Sequence, residues 1–184
     1  LGAWRVVRTW EQALSLRPLP VVADSGLVAR RATPEDSRQL WEWRNEAGSR
    51  AGSRNSDVVP WLEHQAWLET SLAREDRILL VVEDPGGPVG TVRWDRGSEA
   101  EWEVSITVAP ERRGQLLARP LLRAAEVALS EEARSSGIDV TAYLAVVHVD
   151  NRASMRLFET SAYVPDLPPD RRGFMRFRKF ARVA

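Results

Sequence analysis

The sequence contains no cysteine, two histidines (His64 and His148), a single lysine (Lys179) and two methionines in 184 residues. Without cysteine there is no disulfide framework, no thiolate zinc site and no cysteine nucleophile. Two imidazoles are too few for a histidine-built centre, so no metal is expected. No apolar run approaches the roughly 18–20 residues needed to cross a bilayer, which excludes a helical membrane span. Neither sign of charge is in excess, because 26 Lys+Arg stand against 26 Asp+Glu. No global field therefore draws the chain to nucleic acid or an anionic membrane, and a small-molecule partner is expected. All cations but one are arginine, a bias spread along the whole chain that marks no site by itself.

The length suits one domain with a short appendage. Residues 1–26 carry a helical pattern (Trp4, Val7, Trp10, Leu14) and then Arg17-Pro18-Leu19-Pro20, whose prolines favour an extended connector. They read as an appendage and linker, the tail of an upstream domain, with the main domain at 27–184. No leader pattern of charged and then apolar residues precedes them, so a cytoplasmic location is expected.

From Leu27 to Ala32 the chain reads as a strand, and Thr33-Pro34-Glu35-Asp36 is a helix start running to about Arg44. A polar Gly, Ser and Arg segment spans Glu46 to Asp57, and Pro60 opens a second helix. The continuous apolar run Arg77 to Glu83, the turn residues Asp84-Pro85-Gly86-Gly87 and Val89 to Trp94 form a hairpin. Strict alternation follows, with Trp102, Val104, Ile106 and Val108 on one face and Glu103, Ser105 and Thr107 on the other. A helix to about Glu132, a strand at Thr141 to Val147, a helix at Asn151 to Thr160 and a strand at Phe174 to Phe180 complete a mixed α/β chain.

The chemistry-bearing stretch lies between the alternating strand and the next helix: Arg113-Gly114-Gln115-Leu116-Leu117-Ala118. A strand turning into a helix N-terminus presents unpaired backbone amides and a positive dipole end, which together bind phosphate. Pro120 in the first helical turn removes only an amide without an intrahelical partner. This segment, with Asn151-Arg152-Ala153-Ser154 to Phe158 and Ala162-Tyr163, resembles the acetyl-CoA site of the GNAT acyltransferase superfamily. That family's loop reads Arg/Gln-x-x-Gly-x-Gly/Ala. Arg113 and Ala118 match its ends, and Leu116 stands at the central glycine. Leucine supplies the same amide at negative φ, whereas a loop that needs positive φ there would bind weakly.

The resemblance implies a mostly antiparallel mixed α+β sheet with two splayed parallel central strands and helices on both faces. It implies acetyl-CoA as donor, with Ile106 and Val108 pairing to the pantetheine arm and Arg113 to Ala118 and Asn151 holding the cofactor. A backbone amide near Val104 to Ile106 would stabilise the oxyanion of direct attack by an amine. Glu103 is the candidate base, His64 the next and His148 a reserve. Phe158 replaces the tyrosine that protonates the thiolate in many relatives, which leaves Ser154 or water for that step.

Trp43-Arg44-Asn45, an arginine-bearing segment and then His64-x-x-Trp67 resemble the GNAT branch holding ribosomal-protein N-terminal acetyltransferases and PseH-type enzymes, which acetylate a UDP-linked amino sugar. Trp43, Trp61 and Trp67 offer flat faces, and Arg44, Asn45, Arg50, Arg54, Ser56 and His64 polar contacts, for such an acceptor. Helical spacing assigns Leu40, Trp41 and Trp67 to burial as well. A protein N-terminus, an aminoglycoside or another small amine is the alternative acceptor. A non-catalytic acyl-CoA-binding domain is the alternative of another class. A monomer or homodimer is expected. Gly114→Glu should abolish CoA binding by setting bulk and negative charge where the pyrophosphate sits; unchanged affinity by calorimetry would remove the loop from the cofactor site. Glu103→Gln is expected to slow turnover at neutral pH while sparing CoA affinity.

Overall fold

The computed structural model describes Val21–Val22 and residues 26–181. The helical pattern at Trp4 to Leu14 lies outside the described residues. One eight-stranded sheet organises the chain: β1 (Val21–Val22), β2 (Val28–Arg31), β3 (Arg77–Asp84), β4 (Gly87–Arg96), β5 (Glu101–Val108), β6 (Ala142–His148), β7 (Val164–Leu167) and β8 (Phe174–Phe180). Their spatial order is β1-β2-β3-β4-β5-β6-β8-β7. Every neighbouring pair is antiparallel except β5 and β6.

The helices are α1 (Ser37–Asn45), α2 (Ala47–Ala51), α3 (Trp61–Ala73), α4 (Ala118–Ser136) and α5 (Arg152–Thr160). Thr33 caps a 3₁₀ turn, Pro34–Asp36, that leads into α1. Pro60 is the N-cap of α3, one position earlier than a proline inside the first turn. Helix α4 outruns its expected end at Glu132 and stops where Gly137 turns left-handed at φ +65.

Period-2 alternation decides which face each strand buries. On β5, Trp102 and Val104 are buried, and Ile106 packs on the same cluster, which joins α4 and α5 to the sheet through Leu121, Leu122, Leu129, Leu157 and Phe158. The unbroken apolar run of β3 serves both faces: Ile78, Leu80 and Val82 meet the α4 side, while Leu79 and Val81 meet α1 and α3 through Leu40, Trp43 and Leu68. Trp43 is the buried tryptophan of α1, and Trp41 is half-exposed, donating its indole N–H to the Val59 carbonyl. The expected burial of Trp41 is thus corrected to its neighbour two residues on.

Three further departures have local causes. Val21–Val22, expected in the linker, pairs antiparallel with Val28 and Ala29. The polar segment after α1 contains α2, because the Glu46 carboxylate accepts hydrogen bonds from the Gly48 and Ser49 amides and caps it. Strand β7 escaped notice because Pro165 interrupts its pattern, and it pairs with β8 across a register shift.

The lone lysine has a structural assignment. Lys179 Nζ donates to both Glu126 carboxylate oxygens at 2.9 and 2.7 Å, and Tyr163 Oη donates to Oε1 at 2.9 Å. Glu126 is buried, so loss of Lys179 would leave its charge only the Tyr163 hydroxyl and Arg123 at 3.9 Å, at a cost of about 3 kcal/mol. Close packing of α4 on the sheet depends on Gly90, where a Cβ would lie 2.3 Å from the Thr107 carbonyl oxygen and 2.5 Å from Leu121 Cδ1. Gly90→Ala is therefore expected to cost about 1–3 kcal/mol, lowering Tm by about 2–4 °C per kcal/mol. An unchanged Tm in a thermal melt would contradict that packing.

Candidate active site

Parallel pairing joins Glu101 to Ala142 and continues to Val104 and Ala145, where it ends. Strand β5 runs on to Val108 with β4 still paired on its other edge, and β6 runs on to His148 paired with β8. The two central strands thus part, and the β6-facing backbone of residues 105–108, Ile106 and Val108 among them, is left free. At the open end the chain makes a 3₁₀ turn, Pro110–Arg112, and then the loop that enters α4.

In this loop Gly114 has φ +75 and Leu116 φ +59. The left-handed conformation costs a leucine about 1–2 kcal/mol, so the condition set for weak binding is met at Leu116. Its side chain is 91% exposed and fills no part of the groove. The amides of Leu116 and Leu117 donate to no protein acceptor among the described residues, and no side chain caps α4. An uncapped helix start with unpaired amides beside a free strand edge fits a pyrophosphate and an extended arm. Ala118 begins α4, and the Gln115 side chain bridges Arg112 Nε and the Glu111 carbonyl. Arg113 Nη1 donates to Glu46 at 2.7 Å and Nη2 to Ser49 Oγ at 2.7 Å.

Asn151 caps α5, its Oδ1 accepting from the Ser154 amide at 3.1 Å. Ser154 is thereby set in the first turn of α5 and is half-buried. Phe158 is buried against Tyr163 and Phe177 and supplies no proton. Ala162, at the family's closing glycine, adopts φ +64. His148 packs on Phe174, with Nδ1 accepting from the Asp150 amide.

On the opposite face of the sheet, a cavity of about 370 Å³ lies under α1 and α3. Its floor is two directly opposed pairs of β4 and β5, Thr91 with Thr107 and Arg93 with Ser105. Leu40, Trp43, Val59, Trp67 and Leu79 give it apolar walls, and Arg44, Glu63 and His64 polar ones. Burial pushes the His64 imidazole below its ordinary value, partly offset by a hydrogen bond to the Ser37 backbone, so the ring is neutral. Its Nε2 is buried without a partner among the described residues. Arg44 donates from Nη2 to the Asn55 carbonyl at 2.8 Å, while its Nη1 is buried and unpartnered. Desolvation and then repulsion from Arg50 lower the Arg44 pKa. One carboxylate, Asp95, serves two arginines at 2.6 and 2.7 Å, Arg77 and Arg93. Of the charged groups in the lining, Arg44 and Arg93 stand against Glu63, and Arg93 is already paired with Asp95.

Of the acceptor residues expected from sequence, Arg44, His64 and Trp67 meet in this cavity. Asn45, Arg50 and Ser56 do not line it. Asn45 clamps Val59 through both its amide atoms, and Arg50 holds the Asn45 and Ser56 carbonyls. Arg54 is paired with Glu103 at 2.7 Å, so of the three arginines expected at the acceptor only Arg44 lines the cavity. Glu103 shares the polar face of β5 with Ser105 but stands outside the cavity lining. Sequence reasoning missed Thr91 and Arg93, which only the β4–β5 register could have placed opposite Thr107 and Ser105.

Residues 37–163 match the model of the acetyltransferase (GNAT) family, well over half of the chain. Among solved structures, a spermidine N-acetyltransferase from Vibrio cholerae in complex with CoA and spermine is similar, with a TM-score of 0.73 at 19% identity over 85% of this chain and 96% of that one. A protein of Bacillus halodurans gives 0.71 at 18% identity over 89% and 90%, and an aminoglycoside acetyltransferase in complex with coenzyme A gives 0.69 at 17% over 84% and 94%. At these identities the likeness is one of fold. No curated protein matches the sequence. Parted central strands, a loop entering α4 where the family carries its own, and a family match across that whole region lead to one assignment: the chain belongs to the GNAT acetyltransferase family.

Proposed function

We propose that the protein transfers an acetyl group from acetyl-CoA to the primary amine of a nucleotide-linked amino sugar, in keeping with the PseH-like pattern of its first helices. The observation that carries the acceptor class is the buried, unpartnered Nη1 of Arg44 on the cavity wall, a donor that a phosphate oxygen would satisfy. A phosphate-bearing acceptor would complete Arg44, whereas a polycation such as spermine would leave its Nη1 without an acceptor. Trp43 and Trp67 supply flat apolar walls for a ring.

The thioester supplies an activated acetyl group. Backbone amides of the free β5 edge are suited to the negative charge that develops on its carbonyl oxygen. The attacking amine must lose a proton, and His64 is suited to take it, being neutral and on the cavity wall. Glu103, held by Arg54, is suited to relay that proton only after the pair opens. Asn151 and Ser154 set the first turn of α5 beside the parted strands, where Ser154 or water returns a proton to the departing thiolate. A small-molecule acceptor and acetyl-CoA as donor support a cytoplasmic location.

Thermal shifts test the reading directly. Saturating acetyl-CoA at about 100 times its Kd adds about 2.7 kcal/mol, and a UDP-amino sugar should add a further shift while spermidine adds none. A shift with spermidine and none with UDP-sugars would reverse the acceptor assignment. Arg44→Met should raise the acceptor KM about tenfold or more, from loss of a charged hydrogen bond, and leave the acetyl-CoA KM unchanged. His64→Gln should lower kcat by about 100-fold or more. Because the His64 pKa is lowered, the acidic limb of the wild-type pH–rate profile should fall below about pH 6.5. An unaltered limb in His64→Gln, together with its loss in Glu103→Gln, would return the base role to Glu103.

A further inference from the structure

The segment joining α1 to α3 touches two parts of the donor groove and, through Arg54, the carboxylate Glu103, and acetyl transfer as derived above requires none of those contacts. Glu46 and Ser49 bind the two Nη atoms of Arg113, each at 2.7 Å. Gly48 lies flat against the guanidinium, for a Cβ there would stand 2.8 Å from Arg113 Nη1. A Cβ at Gly52 would stand 3.0 Å from Asn151 Nδ2, and Arg54 pairs with Glu103 at 2.7 Å. The same segment then forms part of the acceptor wall. The Asn55 carbonyl accepts from Arg44, and Val59 lines the cavity.

Charge decides what a donor must do here. The Glu46 carboxylate is held at a pKa of about 2 by the Gly48 amide, Arg113 and the Ser49 amide, so it stays ionised beside the loop. A pyrophosphate on residues 113–118 would be repelled by it and would compete for the same guanidinium. The side chains of Arg113 and Glu46 are 39% and 33% exposed, and ion pairs so open to water are weak. Phosphate offers Arg113 a bidentate, more highly charged partner. Glu46 can give up Arg113 and still cap α2 through the two amides it holds.

We infer that Glu46 and Ser49 occupy Arg113 in place of the donor pyrophosphate, so that donor binding takes the guanidinium from them and repositions residues 46–59, coupling the donor groove to the acceptor cavity. The inference rests on reading residues 113–118 as the donor loop. Linkage makes the coupling reciprocal: the donor-loaded protein binds acceptor with an altered affinity. Glu46 acts through Arg113 and is a positioning residue.

Calorimetric titration with CoA of the wild type, Glu46→Gln, Arg113→Ala and the double variant tests this. Glu46→Gln should bind CoA about fivefold tighter or more, and the gain should vanish in the Arg113→Ala background. Equal or weaker binding by Glu46→Gln, or a gain that survives loss of Arg113, would overturn the inference. Since glutamine weakens the α2 cap, a second readout uses the unaltered chain. Trypsin cleavage after Arg50 and Arg54 should change in rate by about threefold or more on saturation with CoA; an unchanged rate contradicts the coupling. Failure of the wild type to bind CoA at all would overturn the donor loop itself, a result distinct from CoA binding that is indifferent to Glu46.

Discussion

Pairing between β5 and β6 stops at Val104 and Ala145 although both strands continue. Backbone amides and carbonyls inside a domain must find partners, and a strand edge opened next to the core invites an extended ligand to supply them. The rest of the molecule keeps this gap open. Trp102 and Val104 anchor β5 to the core just before the divergence, and Gly90 lets β4 and α4 press close beside it. On the far side β8 pairs with the full length of β6 and holds it in the sheet. The chain leaving β5 must then turn directly into α4, and the uncapped N-terminus of α4 comes to lie at the mouth of the gap.

Both halves of the site carry unfavourable local features, of which a ligand could satisfy the buried nitrogens. Leu116 in the left-handed region and the buried unpartnered nitrogens of Arg44 and His64 are unfavourable in the folded chain, each by about 1–3 kcal/mol. Two buried carboxylates elsewhere are offset locally. Glu126 has Lys179 and Tyr163, and Asp36 has Arg30 and the Thr33 amide. Such groups are not confined to the loop and the cavity, for Ala100 and Ala162 are also left-handed, and Ser37 Oγ, Trp94 Nε1 and Ser161 Oγ are also buried without a partner among the described residues. The loop's strain is already present in the folded chain, and the free Leu116 amide is available despite the missing glycine.

How much of this was legible in the sequence depended on period and register. The alternation from Trp102 to Val108 could be read because one face is buried, and the helix starts at Thr33 and Pro60 because their chemistry is local. The turn from β5 into α4 was legible around Gly114 and Pro120 for the same reason. Helix α2 was hidden since Gly48, Ser49 and Arg50 read as a loop and only the Glu46 cap makes the turn. Strand β7 was hidden by Pro165. The cavity could not be read because Thr91 and Arg93 reach Thr107 and Ser105 through register alone. Arg50 and Arg54 looked available in sequence, yet tertiary contacts to carbonyls and to Glu103 spend them. Arg44, adjacent to Trp43, keeps a buried nitrogen without a partner among the described residues.

The central claim is that the free edge of β5 receives the donor as an added strand. Amide hydrogen exchange across residues 101–108, with and without saturating CoA, tests it most directly. The account expects exchange to slow within residues 105–108 when CoA binds, with no change at residues 101–104, which the sheet already pairs on both edges. Binding of CoA without added protection in residues 105–108 would contradict it.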